Sequence, residues 1–441
     1  MMQTQRVLRQ VVSNPLIAVC QLTNTYDKTR NIEKAHELIS KAKDHGCKMI
    51  FFPECSDFIG RSKDEALKLA EPINGETMKS FRELAASNKM WISVGGFHNK
   101  KSEDILPANT HVIIDDNGQI VVQYDKLHQF NIDTPKVRLL EREFSSAGNE
   151  LHQPVETPVG KIGLNICYDV RFPELSYFHR QAGADILAFP AAFTVPTGMA
   201  HWEVLLRARA IETQCYVVAS AQYGKHTDTR SSYGHAMIVD PYGKVVAQCS
   251  DREGLCYAEI DLNYVKEVRQ GLNMIGDRRG DLYTTYYKQK FPTEGVDGIF
   301  ADKTIPASCI FYRSRLSFAF VNLQPLVPGH VLVSPNRVVQ SIKDLTPAEN
   351  ADLFNTVQIV SKAVLGYYKV ESSNVAIQNG PDAGQTVPHV HVHIIPRKHK
   401  DFGDDTDNMY KELAEHETKR PQQTPEKMAE EAAIYRKLLY P

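Results

Sequence analysis

Glu54, Lys126 and Cys167 form one set of residues capable of covalent chemistry, and the alternating run His389-Val390-His391-Val392-His393 forms another. The first set suits attack on a carbonyl-type carbon and the second suits attack on phosphorus. Neither can be a fragment of the other's site, so the chain reads as two catalytic domains joined end to end. Cys167 stands directly after a strand-like run at 162–166, and Glu54 closes another at 49–52. The C-terminal ends of sheet strands are where α/β folds expose reactive groups. Position alone does not make a nucleophile. A free cysteine more often packs as a small hydrophobe, and a Glu and a Lys taken at random form an exposed ion pair.

In a strand the side chains alternate between faces, so His389, His391 and His393 share one side at a spacing of about 7 Å while Val390, Val392 and Ile394 enter the core. Three imidazoles in a row suit either a metal claw or a phosphate groove. The preceding loop, 378–388, carries Gly380, Gly384 and several amide and hydroxyl donors, as a backbone cradle for phosphate oxygens requires. No acidic residue stands beside the histidines to complete a typical metal set, and phosphate is the favoured of the two readings. Pro388, just before the first histidine, lacks a backbone donor, which the first residue of a strand tolerates.

These groups need elements to hold them. At 441 residues the chain exceeds one ordinary core, and a prior of roughly 150 residues per domain suggests two or three. Apolar runs at 16–20, 49–52, 91–95, 111–115, 162–166, 186–189, 216–219 and 236–240 alternate with helical stretches such as 29–45, a layered α/β pattern that fits two stacked sheets flanked by helices. Periodicity loosens between Asp281 and Gly298. The expected division is a tail at 1–14, a first domain at 15–283, a linker at 284–297 and a second domain at 298–441. The second holds strands at 318–321, 331–334 and 374–378 besides the histidine strand, and helices at 346–367 and 428–440. The charged segment 400–427 reads as a flexible loop.

Composition narrows the rest. With 42% hydrophobic and 24% charged residues and a net charge of -2, the chain reads as an ordinary globular protein with no electrostatic pull toward nucleic acid or a membrane surface. The eight cysteines include no Cys-x-x-Cys pair, which argues against a zinc knuckle or disulfide framework and for a reducing, cytoplasmic compartment. The most apolar segment, 184–195, is short and broken by Pro190, so no membrane span is expected. Arg6 and Arg9, with no acid before Asp27, leave mitochondrial targeting as the alternative to a frayed terminus.

The settings of the reactive residues are more specific than their types. Phe51-Phe-Pro-Glu54, Tyr124-Asp-Lys126-Leu-His128 and Gly163-Leu-Asn-Ile-Cys167-Tyr-Asp169-Val-Arg171-Phe-Pro-Glu174, in this order, resemble the nitrilase superfamily. The resemblance implies an αββα sandwich and a Glu54-Lys126-Cys167 triad, with Glu141 at the position of an additional acidic residue. In that chemistry the thiol, with a pKa of roughly 8.5 when free, is shifted by a base and a cation. Glu54 takes its proton, and Lys126 and the following backbone N–H hold the oxyanion, each donor contributing about 3 kcal/mol. Ammonia leaves, and Glu54 then activates water. The segment 202–212, with Arg207-Ala-Arg209-Ala-Ile-Glu212, reads as an amphipathic helix for packing or a subunit interface; the resemblance implies association through such helices, so a homo-oligomer, dimer or tetramer, is expected. The Nit branch is the nearest in motif and implies a small carboxylated amide, deaminated glutathione being the candidate, with nitrile hydrolysis or other carbon–nitrogen hydrolysis the alternative.

His389 through Ile395 fits the motif of the histidine triad superfamily, and Asn322, Pro328-Gly-His330-Val-Leu-Val333 and Gln378 resemble its Fhit branch. That implies an α+β domain hydrolysing dinucleoside polyphosphates, diadenosine triphosphate to AMP and ADP, with His391 as nucleophile. His393 faces the leaving group, His389 and His330 orient the network, Gln385 and Thr386 bind phosphate, and Asn322 and Gln378 bind the nucleoside. Tyr410 matches a tyrosine that this branch can have phosphorylated. The whole chain thus resembles the invertebrate NitFhit fusion family. No tightly bound cofactor or metal is implied, only a divalent cation accompanying the polyphosphate. The alternative for the second half is a module that signals while nucleotide occupies it.

Overall fold

The computed structural model describes residues 14–102, 105–133, 138–280, 282–283, 285, 287, 293, 295–405, 407–414 and 421–440. The chain divides into two compact units, Met1–Asp277 and Arg278–Pro441. All but the last residue of the expected tail at 1–14, and most of the expected linker at 284–297, lie outside the described residues.

The first unit follows from strands that are apolar on both faces. In Leu16–Leu22 and Met49–Phe51 the side chains of Ile17, Val19, Met49 and Phe51 join one core with Ile162, Leu164, Ile186 and Ala188. Their neighbours Ala18, Cys20, Ile50 and Phe52 point the other way and bury Leu38, Ile39, Phe81 and Ala85 of the helices Lys28–Asp44 and Glu76–Asn88. A period of two with both faces apolar requires a sheet covered on both sides. Two such sheets stack. One centres on Leu16–Leu22, parallel to Met49–Phe51 and Ala221–Lys225 and antiparallel to Gly254–Glu259; the other centres on the parallel strands Gly160–Leu164, Ile186–Ala188 and Tyr216–Ala219. The helices Pro173–Gln181 and Val195–Thr213 lie against the second sheet, which completes an αββα sandwich. The latter helix buries Trp202, Leu206 and Arg209 while leaving Met199, Val204 and Ile211 exposed.

The second unit is α+β. Its five-stranded antiparallel sheet runs in the order Ile310–Arg313, Ser317–Val321, Val331–Pro335, Val392–Arg397, Ser372–Ala376. The helix Pro347–Tyr368 starts with a capping box, Thr346 accepting from the Glu349 N–H while Glu349 reaches back to the Thr346 N–H. It buries Leu353, Val357, Val360 and Val364 against the sheet together with Pro425–Leu439.

Two expectations need correction here. The histidine strand begins at Val392 rather than His389, because the Val390 N–H bonds to Val339 O in a loop and not to a sheet neighbour. The segment 400–427, expected as a flexible loop, contains the helix Asn408–Ala414. Its Met409 and Leu413 are buried against Ile395, two apolar residues in a charged stretch too short to show a helical period. Among the described residues no helix is long and apolar enough to cross a membrane.

One local feature positions the first site. The strand Trp91–Asn99 breaks register between Val94 and Phe97, a bulge carrying Gly95 and Gly96. A Cβ on Gly95 would stand 2.1 Å from Phe52 O and 2.2 Å from Pro190 Cβ, and one on Gly96 would stand 2.9 Å from Glu54 Cα. The chain segments bearing Glu54 and Pro190 thus close over bare backbone. We expect Gly95→Ala to destabilise the first unit by at least about 1–3 kcal/mol through overpacking. Denaturant melts of the full chain measure this; an unshifted midpoint would contradict the packing described.

Candidate functional site

Three loops at the ends of strands deliver the first site. Glu54 follows Met49–Phe51, its backbone carbonyl accepting from Gln222 Nε2 at 2.9 Å. Lys126 follows Ile120–Asp125, its N–H donating to Asn109 O at 2.8 Å. Cys167 opens the 3-10 turn Cys167–Arg171 beyond Gly160–Leu164, its N–H donating to Pro190 O at 2.8 Å. Its φ of +47° is left-handed, a conformation that costs a non-glycine residue energy and is kept where the surroundings enforce it. Glu141 opens the 3-10 turn Glu141–Glu143.

The side chains converge. Lys126 Nζ donates to Glu54 Oε1 at 2.9 Å and to Glu141 Oε2 at 2.8 Å, and all three residues are buried. Glu54 also accepts from Asn109 Nδ2 at 2.8 Å and from the Ala192 N–H at 3.0 Å, and the nearby Cys167 thiol also lowers its pKa. Burial works against charge on Glu54, yet the charge and hydrogen bond of Lys126, with smaller help from Cys167 and Arg230, outweigh it and hold the carboxyl below its ordinary range. Burial likewise opposes charge on Lys126, and the carboxylates of Glu141 and Glu54 more than offset it, so its ammonium is held well above the usual value. Cys167 moves opposite to the expectation of a depressed thiol. Burial and the Glu54 charge together push it well above its ordinary value, and Lys126 only partly opposes them. The resting group is a neutral thiol under the influence of a carboxylate, so its proton leaves as attack begins.

Sequence reasoning missed several positioning residues. Asp169, fully buried, accepts from the Ile166 N–H at 2.9 Å and Tyr124 Oη at 2.7 Å through one oxygen and from the His128 N–H at 3.1 Å through the other. It ties the cysteine turn to the segment carrying Lys126. Arg209 Nε braces the same turn from below through Val170 O at 2.9 Å. Asp169 lies inside a motif quoted above and could have been found there. Asn109, the Ala192 N–H and Arg230, whose charge also reaches Glu54, carry no sequence signal.

In the second unit the histidines are buried and bonded in sequence. His391 Nδ1 donates to the carbonyl of His389 at 2.7 Å, which leaves the neutral ring's lone pair on Nε2. The Leu326 N–H donates to His330 Nδ1 at 3.1 Å, so a neutral His330 donates from Nε2 to His393 Nδ1 at 2.9 Å. Asn322 Nδ2 lies 3.1 Å from His330 Nε2. His389 is turned to structure: its Nδ1 accepts from the Ala301 N–H and its Nε2 donates to Arg337 O, both at 3.1 Å, and burial lowers its pKa. The Phe300 ring meets the His391 ring edge to face at 5.1 Å. Gln385 closes its own loop, accepting from the Gly380 N–H at 2.8 Å and donating to Gln340 O at 3.0 Å. Gln378 lies over Gly384, where a Cβ would stand 2.8 Å from Nε2. Thr386 is exposed, as is Tyr410, whose hydroxyl accepts from Asn374 Nδ2 at 3.2 Å. Among the described residues no three His, Cys, Asp or Glu side chains converge as metal ligands would.

The carbon-nitrogen hydrolase family matches residues 16–270 and the HIT domain family matches 303–400. A nitrilase and fragile histidine triad fusion protein of Caenorhabditis elegans is 52% identical over 429 residues, covering 96% of each chain. The crystal structure of the C. elegans NitFhit protein superposes with a TM-score of 0.89 at 49% identity over 97% of this chain and 99% of that one. A human deaminated glutathione amidase is 48% identical over 275 residues, 61% of this chain and 84% of that protein.

The coupling of thiol and carboxylate makes a measurable prediction. Glu54→Gln removes the charge that opposes the thiolate and leaves Lys126 to favour it, so the Cys167 pKa falls. Alkylation of Cys167 by iodoacetamide at pH 8, followed by peptide mapping, is expected to accelerate, by about tenfold for each unit the thiol drops. An unchanged or slower rate would show that the Glu54 charge does not keep the proton on the Cys167 sulfur.

Proposed function

Since the chain belongs to the nitrilase and fragile histidine triad fusion family, we propose that it is a bifunctional hydrolase whose first unit cleaves a small carboxylated amide and whose second cleaves a dinucleoside polyphosphate. The observation that carries the first activity is the Lys126 ammonium held between two buried carboxylates, one of which, Glu54, acts on the buried Cys167 thiol. As Cys167 Sγ bonds to the amide carbon, its proton passes to Glu54. The oxyanion is met by Lys126 and by the backbone N–H that follows Cys167, donors fixed before the charge develops. The amine leaves with the proton from Glu54. Glu54 then takes a proton from water, whose oxygen displaces the thiol from the thioester. Deaminated glutathione is the substrate suggested by the name of the human relative.

In the second unit the lone pair on His391 Nε2 is the nucleophile. It attacks the α-phosphorus of diadenosine triphosphate, expels ADP and leaves AMP on the imidazole, from which water releases it. His393, which accepts from His330 through Nδ1, directs its other nitrogen at the leaving oxygen. His389 holds His391 through its carbonyl, while Asn322, Gln378, Gln385 and Thr386 line the nucleoside and phosphate sides of this reading. A divalent cation travels with the polyphosphate.

Each half has its own test. His391→Asn is expected to keep nucleotide binding and to lose diadenosine triphosphate hydrolysis by at least about a hundredfold, as loss of a nucleophile requires. Turnover at the wild-type rate would refute the second activity. Acid-quenched amide reactions should carry an acyl adduct on Cys167 by mass spectrometry; product accumulating over unmodified Cys167, with Cys167→Ala equally active, would refute the first.

A further inference from the structure

Two cysteines outside the catalytic set converge between the two sheets of the first unit. Cys249 follows the strand Val245–Gln248 of the sheet that delivers Cys167, and Cys256 lies in Gly254–Glu259, which pairs with Leu16–Leu22 of the other sheet. Both side chains join the core between the sheets. They meet at one carbonyl: the Cys249 N–H donates to Ala236 O at 2.8 Å, and Cys256 Sγ donates to the same oxygen at 3.7 Å.

Gln21 fixes the surroundings. Fully buried, it accepts from the Ala236 N–H through Oε1 at 2.9 Å and donates from Nε2 to Ser250 O at 2.6 Å and Arg252 O at 2.8 Å. The turn joining the two cysteines is therefore pinned to the segment that both of them contact. Residues 250–253 of that turn are exposed, and Cys249 and Cys256 keep 8% and 7% of their surface, which opens them to a small oxidant arriving from solvent. The two thiols also act on each other. Cys256 draws the Cys249 thiol below its ordinary value against the effect of burial, while Cys249 and burial together push Cys256 well above. In Cys20, Cys47, Cys55, Cys167 and Cys215 burial raises the thiol instead. An acidic thiol beside a protonated one is the asymmetry of an attacking and a resolving pair.

We propose that Cys249 and Cys256 form a reversible oxidation site that closes a disulfide across the sandwich when the protein meets a peroxide. The Cys249 thiolate attacks the peroxide O–O bond, gaining one oxygen as a sulfenic acid and releasing hydroxide, which takes up the proton lost by the thiol. The Cys256 sulfur then bonds to Cys249 Sγ, the S–O bond breaks, and the Cys256 proton leaves with that oxygen as water. Two thiols and one peroxide thus give one disulfide and two waters. The new bond joins the sheet that delivers Glu54 and Lys126 to the sheet that delivers Cys167. Transient disulfides of this kind are the ones a reducing compartment permits.

The test exposes the full chain to a small excess of hydrogen peroxide at neutral pH, blocks free thiols with iodoacetamide and digests with trypsin without reduction. Cleavage after Lys244, Arg252 and Lys266 separates the two cysteines, so the disulfide joins peptides 245–252 and 253–266. We expect this linked pair, its loss on adding dithiothreitol, and disappearance of free Cys249 at least about tenfold faster than of free Cys47. Cys256→Ser should leave a sulfenic acid on Cys249 that dimedone traps, and Cys249→Ser should abolish the link. Cys249 and Cys256 recovered as free thiols while other cysteines oxidise, Cys249 driven to sulfinic acid in the wild type with no link, or no dimedone adduct in Cys256→Ser would overturn the proposal. Thermal melts confirm that the variants are folded, and the wild-type peptide map decides the matter without them.

Discussion

The first unit depends on a single buried ammonium. Removing Lys126 and its two carboxylate partners from water costs several kcal/mol per ion, and that cost is recovered only with close geometry and every remaining lone pair bonded. The structure supplies the close geometry and further donors: Glu54 has Asn109 and Ala192, and Glu141 has the Phe130 N–H. Without Lys126, two carboxylates would face each other in a low-dielectric pocket and one would have to take a proton. The stacked sheets and the glycine bulge serve to bring this cluster together, since Glu54 and Lys126 come from one sheet and Cys167 from the other.

The histidines of the second unit are set by neutral partners among the described residues. Backbone groups set its imidazoles: a carbonyl fixes the proton of His391, and an N–H fixes that of His330, which passes a donor on to His393. Neutral donors and acceptors cost less to bury than charges when each is paired, so this site tolerates a smaller core. The difference also suits the chemistry. A thiol needs a base to take its proton, whereas an imidazole already offers a lone pair.

Much of the fold was legible in the chain. Leu16–Leu22 and Met49–Phe51 are apolar on both faces, and only a covered sheet accepts that; the Thr346 and Glu349 pair announces its helix two turns ahead of any packing. Legibility failed where few residues carried the signal. The helix Asn408–Ala414 buries only Met409 and Leu413 within a charged stretch, and the extended segment before Val392 has strand-like alternation with its backbone bonded to a loop. In both places tertiary contacts, not local preference, decided the backbone.

Residue types and motif spacing by themselves established two catalytic halves, their layered architectures, and Glu54, Lys126, Cys167 and His391 as the residues to watch. Only the folded chain decided that the Cys167 thiol rests protonated and which ring nitrogens carry protons. The reason is that proton positions depend on charges and donors within a few ångströms through space. The partners concerned lie far apart in sequence, as with Glu54 and the Ala192 N–H at a separation of 138 residues, so no local pattern encodes them.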